Sequence, residues 1–288
     1  MRDGRIALTP RSALASLHVA VALFGFAALF GKWIALPALV IVLGRTMIGA
    51  ATLGLVAHFR DHRLRRPSRA LALNGAILAL HWSTFFAAIQ VATVAIGLLG
   101  YATFPLFVLL LEGRLVPGRA RAAEWTIALL ASAGLVAMIP ASDPAGDTAR
   151  GLALGVFSGF TFALLAVRNR AFVESASAVE IALWQNAFAA LCVLPLVVML
   201  AGASWVPDAV DAVLLVVLGV VCTGVAHTLF IASMRVLSAH TASVVATLEP
   251  VYGVALAITL LREIPDARTC LGGAMIVAAA LVASRRAR

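Results

Sequence analysis

Apolar stretches follow one another along the whole chain with short connections between them, and each is close to the ~20 residues a helix needs to cross a hydrocarbon core about 30 Å thick. No water reaches that core, so every backbone N–H and C=O must be satisfied within its own segment, which selects helices. Spans are predicted over 13–34, 37–58, 69–91, 94–112, 121–140, 149–169, 178–200, 209–234, 240–262 and 267–284. Hydrophobic residues make up 62% of the chain and charged ones 12%, about half the charge of a soluble domain. The expectation is an all-α membrane protein of ten transmembrane helices, with the lipid bilayer as its surroundings.

The net charge of +9 does not point to nucleic acid, because the basic residues sit in short clusters between apolar stretches. Arg2, Arg5 and Arg11 precede the first span, which is too long for a signal-peptide core and lacks a clear cleavage site. With that end in the cytoplasm, 17 of the 22 Lys and Arg fall on the cytoplasmic side. They are these three, then Arg60, Arg63, Arg65, Arg66 and Arg69, then Arg114, Arg119 and Arg121, then Arg168, Arg170 and Arg235, and at the tail Arg285, Arg286 and Arg288. Only Lys32, Arg150, Arg262 and Arg268 fall on the far side, beside Asp143, Asp147, Asp208 and Asp211. This asymmetry places both termini in the cytoplasm. Cys192, Cys222 and Cys270 lie in different apolar stretches and read as small buried apolar residues without a disulfide framework.

The ninth stretch carries Glu249 followed by Pro250 near its middle. A carboxylate at that depth costs about 2.5–3.5 kcal/mol on insertion scales and is expected to face a bundle interior or a wet cavity. Pro250 has no N–H and crowds the carbonyl of Ala246, so the helix should bend at the same depth. Pro105 occupies the corresponding place in the fourth stretch: 87–105 sets against 232–250, with Ala87 opposite Ala232, Val91 opposite Val236 and Pro105 opposite Pro250. The prediction is two five-helix repeats, 1–143 and 144–288. An odd number of helices makes the second repeat enter the membrane inverted, and the two prolines become candidate hinges.

These features resemble the EamA-type members of the drug/metabolite transporter superfamily. The resemblance rests on the ten-span plan and on FGKW from Phe30 to Trp33, Gly44-Arg45, A-T-x-P ending at Pro105, L-E-P-V from Leu248 to Val251, and L-L-R-E-I from Leu260 to Ile264. Within that superfamily the chain is similar to YddG-type exporters of aromatic and other apolar amino acids. The resemblance implies a secondary transporter of the bacterial inner (plasma) membrane working by alternating access, with an amino acid-like small molecule as substrate. One departure is that Glu112 follows Pro105 by seven residues, whereas Glu263 follows Pro250 by thirteen.

The third stretch offers His81, Trp82, Phe86 and Gln90 as substrate-binding candidates. Trp82, Phe86 and Gln90 share one helical face, with His81 and Phe85 on the neighbouring one. Tyr101 stands one turn before Pro105, and its carbonyl is the one that proline frees. His227 lies within the eighth stretch opposite Trp82, and Tyr252 follows Glu249 by three residues on the same face. Aromatic rings with a few hydrogen-bonding groups suit a cavity for an amphipathic small molecule, and packing is the competing reading of each ring. His81, His227 and Glu249 are candidates to carry a coupling proton. Arg45 could partner a carboxylate or snorkel to the outer surface. Gly151, Gly155 and Gly159 would let another helix approach closely.

A multidrug or cation exporter is the alternative within transport, and a membrane-embedded enzyme is the rival class. Against an enzyme, no HExxH, paired intramembrane aspartates, P-loop or Gly-x-Ser nucleophile site occurs in a span. No catalytic residue, metal or cofactor is therefore expected.

Overall fold

In the computed structural model the described residues are 9–60, 64–114, 122–140, 145–200, 206–237 and 239–286. Arg2, Arg5, Arg63, Arg119, Arg121, Arg288 and Asp143, the boundary at 143/144 and the side chain of Glu112 lie outside them. The chain folds as α1 Pro10–Trp33, α2 Ala38–Phe59, α3 Arg69–Val91, α4 Val94–Tyr101, α5 Phe104–Arg114, α6 Ala122–Met138, α7 Asp147–Phe172 and α8 Ala178–Leu200. It continues through α9 Ala209–Val217, α10 Ala226–Ser233, α11 Ala239–Ala246, α12 Glu249–Leu256 and α13 Ala267–Arg286. There is no strand among the described residues. Six helices are long and apolar enough to cross a membrane: α1, α2, α3, α7, α8 and the continuous run Ala209–Ser233. Large apolar side chains such as Phe59, Leu129, Val136 and Val198 are mostly exposed on the outer surface, as suits a protein bathed in lipid rather than water.

Local chemistry sets the helix ends. Thr9 and Ser12 form a reciprocal capping box at α1, with Pro10 at its first position. Ser68 caps α3 through the N–H of Leu71, and Asp208 caps α9 through that of Asp211. Asp266 accepts from the N–H of Thr269 at 2.7 Å to start α13; its contacts with the hydroxyl and N–H of Thr269 hold its carboxyl below the usual range. α4 begins under a distant acid, since Glu263 Oε2 accepts from the N–H of Val94 at 2.9 Å. Arg262, left-handed at φ 56°, turns the chain so that Glu263 reaches that helix end, where negative charge is favourable.

Two helical stretches are broken and one is locally unwound. α4 and α5 are separated by the turn Ala102–Thr103, and α11 and α12 by Thr247–Leu248. Pro105 and Pro250 each become the second residue of the helix that restarts, a position where a missing N–H forfeits no helical bond. Between α9 and α10 the residues Leu218–Val225 form a π-helix, and Ala257–Leu261 form another after α12. Such wide turns recur at functional sites because they redirect side chains.

Small residues set the closest packing. α7 lies on α4, where a Cβ at Gly155 would come within 2.8 Å of the Gly97 carbonyl and 3.1 Å of Gly100 Cα, and one at Gly159 within 2.8 Å of the Tyr101 carbonyl. The glycines at intervals of four therefore receive the short helix that ends in Tyr101. Overpacking against backbone costs about 1–3 kcal/mol. Gly155→Val is thus expected to lower the melting temperature of the purified protein by about 5 °C; an unchanged melting curve would mean that α4 can withdraw freely.

A closed aromatic cavity between opposite charges

A cavity of about 30 Å³ lies where the helix breaks meet. That is room for one or two waters and less than the volume of an amino acid. Glu249 is the first residue of α12 and is 4% exposed. Tyr101, the last residue of α4, lines the same cavity beside the Glu249 carboxylate, so the interruption in one broken helix stands against the interruption in the other. Among the described residues Glu249 Oε2 has no hydrogen-bond partner.

Arg45 faces Glu249 across the cavity. It is 1% exposed, so the snorkelling expectation is corrected. Its guanidinium carbon sits 3.8 Å from the centre of the Trp82 ring and 5.2 Å from that of Phe86, a stacking worth about 2 kcal/mol where water is excluded. Nε donates to Thr223 Oγ1 at 3.0 Å, and Thr223 in turn donates to the Leu218 carbonyl five residues back, a pairing that the π-helix creates. Gly49 and Gly219 let α2 approach this segment closely, which keeps Arg45 within reach of Thr223. Arg45 and Glu249 do not form an ion pair; among the described residues the pair within 4 Å is Arg150–Asp147.

Aromatic rings complete the wall. Phe85 and Phe162 stand 5.6 and 5.3 Å from Tyr101, and Phe24 reaches in from α1 against Phe230 at 5.7 Å. Of the residues expected from the sequence, His81, Trp82, Tyr101, His227 and Glu249 line the cavity. Trp82 and His227, opposite one another in the repeat register, touch at 5.7 Å. Three others are placed elsewhere. Phe86 is fully buried in the core behind Arg45. Gln90 donates to the Leu36 carbonyl at 2.8 Å at the far end of α3. Tyr252 is half-buried, with its Cβ against Gly25. Of the cysteines, Cys222 is buried near Arg45, whereas Cys192 and Cys270 are exposed on the outer surface, contrary to their expected burial.

Both histidines are held by neighbours. His81 Nδ1 lies 2.8 Å from Ser158 Oγ and 3.0 Å from the Ser158 carbonyl. His227 Nε2 pairs with Gln185 Oε1 at 3.0 Å; Gln185 donates to Asn169, which also accepts from Asn74, which accepts from Arg168. This chain of amides braces α3, α7, α8 and α10 from the cavity to the surface. Sequence reasoning passed over it, as it did Phe24 and Phe162, although three carboxamides inside apolar helices were the visible signal.

The helical fold, with its membrane-length segments, surrounds an aromatic-walled cavity that Arg45 and Glu249 both line. The chain matches the EamA-like transporter family over residues 149–285. A solved crystal structure aligns with a TM-score of 0.71 at 23% identity, covering 97% of this chain and 99% of its own, which shows a shared fold. No curated protein matches.

Proposed function

We propose that the chain is a secondary transporter of the drug/metabolite superfamily that exports aromatic or other apolar amino acids across the inner membrane. In this reading the ten stretches form two inverted five-helix units, 1–143 and 144–288, with both termini cytoplasmic. The units rock about the breaks at Pro105 and Pro250 to open the cavity alternately to each side. The observation that carries the reading is the juxtaposition of Arg45 and Glu249 in one aromatic-walled cavity at those breaks. The family match and the contact between Trp82 and His227, equivalent positions of the two halves, support it. An exporter of organic cations fits less well, because Arg45 would face the cargo.

Flux of labelled phenylalanine, tryptophan, leucine and methionine from proteoliposomes containing the purified protein tests the proposal. Saturable efflux of at least one is expected. Absence of all four, in vesicles that do carry a cationic dye, would transfer the assignment to drug export.

A further inference from the structure

We infer that Arg45 and Glu249 are the two poles of a clamp for a zwitterion: Arg45 takes the substrate's α-carboxylate, Glu249 its α-ammonium, and the aromatic wall its side chain. This rests on the transport reading and names the chemical feature that the site selects.

Four observations converge on it. Arg45 spends only Nε on the protein, at Thr223, and its hydrogen bonds among the described residues leave both terminal nitrogens for a ligand. Those two nitrogens form the flat fork that matches a carboxylate. Among the described residues Glu249 Oε2 is unpartnered although the residue is almost wholly buried, and an orphaned acceptor at that depth calls for a donor. Both groups border one cavity without pairing with each other, so the charges are held apart by packing. Trp82 beneath the guanidinium and Tyr101 beside the carboxylate fix the two poles from behind. A zwitterion satisfies both at once and enters the bilayer interior with no net charge. A simple amine or simple acid would leave one pole facing a void, and a site built for polar groups discriminates strongly against a ligand that lacks them.

The geometry also assigns orientation. The side chain extends toward Phe24, Phe85 and Phe162, the part of the wall without charge. At about 30 Å³ the cavity is smaller than an amino acid, so in this proposal the poles separate on binding, and a rigid ligand with one charge gains little from parting them.

Equilibrium binding of three probes to the purified protein in detergent tests the clamp: L-phenylalanine, 2-phenylethylamine and 3-phenylpropionate. The wild type is expected to prefer phenylalanine over each truncated probe by at least about tenfold, the ratio of one lost charge-assisted contact. Arg45→Gln should bring phenylalanine and phenylethylamine to within about twofold of each other while keeping the preference over phenylpropionate. Glu249→Gln should do the reverse. Arg45→Lys, which keeps the charge without the fork, separates a loss of recognition from a loss of fold, since it should bind phenylalanine more weakly and still melt as the wild type does. Equal binding of the three probes to the wild type, or retention of both preferences in Arg45→Gln, overturns the clamp and leaves the transport proposal standing. Phenylalanine that binds selectively and is never carried in proteoliposomes supports the clamp while removing the transport reading.

Discussion

Glu249→Ala is expected to reduce amino acid efflux on the order of 100-fold while leaving a folded protein, because truncating one partner of a buried charged contact costs about 2–5 kcal/mol. Tyr101→Phe should cost about tenfold, the worth of one hydrogen bond to a charged group. The informative variant is the double. If Tyr101 acts through the carboxylate it neighbours in the cavity, removing both should be no worse than removing Glu249 alone, the non-additivity expected of groups in one network. Initial rates of phenylalanine efflux, with melting temperatures measured alongside, give the comparison. A double variant whose losses multiply would show that Tyr101 touches the substrate independently or holds α4 in place by packing. Isolated Glu249→Gln keeps the shape and removes the charge, so it separates electrostatics from volume at this position.

The second large effect concerns the ends of the bundle. At one end Asp211 Oδ1 accepts from the N–H of Ala35 at 3.1 Å, tying the α1–α2 connection to the start of α9. At the other end Glu180 Oε1 accepts from the N–H of Arg65, also at 3.1 Å, tying the α2–α3 connection to the start of α8. In the proposed two-unit reading each joins a backbone N–H of one half to a carboxylate of the other and closes the cavity on its own side. A hydrogen bond to a charged group is worth about 1.5–3 kcal/mol. If the halves rock as proposed, Asp211→Ala should raise access from the Asp211 side by about 10- to 100-fold, and Glu180→Ala should do the same from the Glu180 side. A cysteine placed at Ala27, a cavity-lining position, in a chain without Cys192, Cys222 and Cys270, reports this through an impermeant maleimide added to one face at a time. Labelling that rises from the same face in both variants would defeat the assignment of these contacts to opposite gates.

Much of the fold was legible because lipid imposes a simple rule. A stretch of apolar residues must satisfy its own backbone, so α3 and α8 cover the 69–91 and 178–200 that hydropathy predicts. The two helix breaks were equally visible, since Pro105 and Pro250 cannot continue the ladders they interrupt. Glu249 declared itself through the cost of a carboxylate at that depth. Less was legible where the choice lay between faces of one helix. Phe85 and Phe86 are neighbours of the same type, and which one borders the cavity depends on where α3 meets α7 and α4. The wide turn Leu218–Val225 has no proline or charge to mark it, and it brings Thr223 to Arg45.

The sequence by itself determined that this chain is helical and membrane-embedded, where two of its helices break, and that an acid sits at one break. Those outcomes follow from properties of single segments, namely hydropathy, a missing N–H and the solvation of one charge. Only the tertiary structure decided that Arg45 turns inward to face Glu249, that Tyr101 sets one break against the other, and that Gln90 and Tyr252 stand apart from the cavity. These depend on the rotation of each helix about its axis, which is set by the glycines through which the helices touch and not by any residue's own preference.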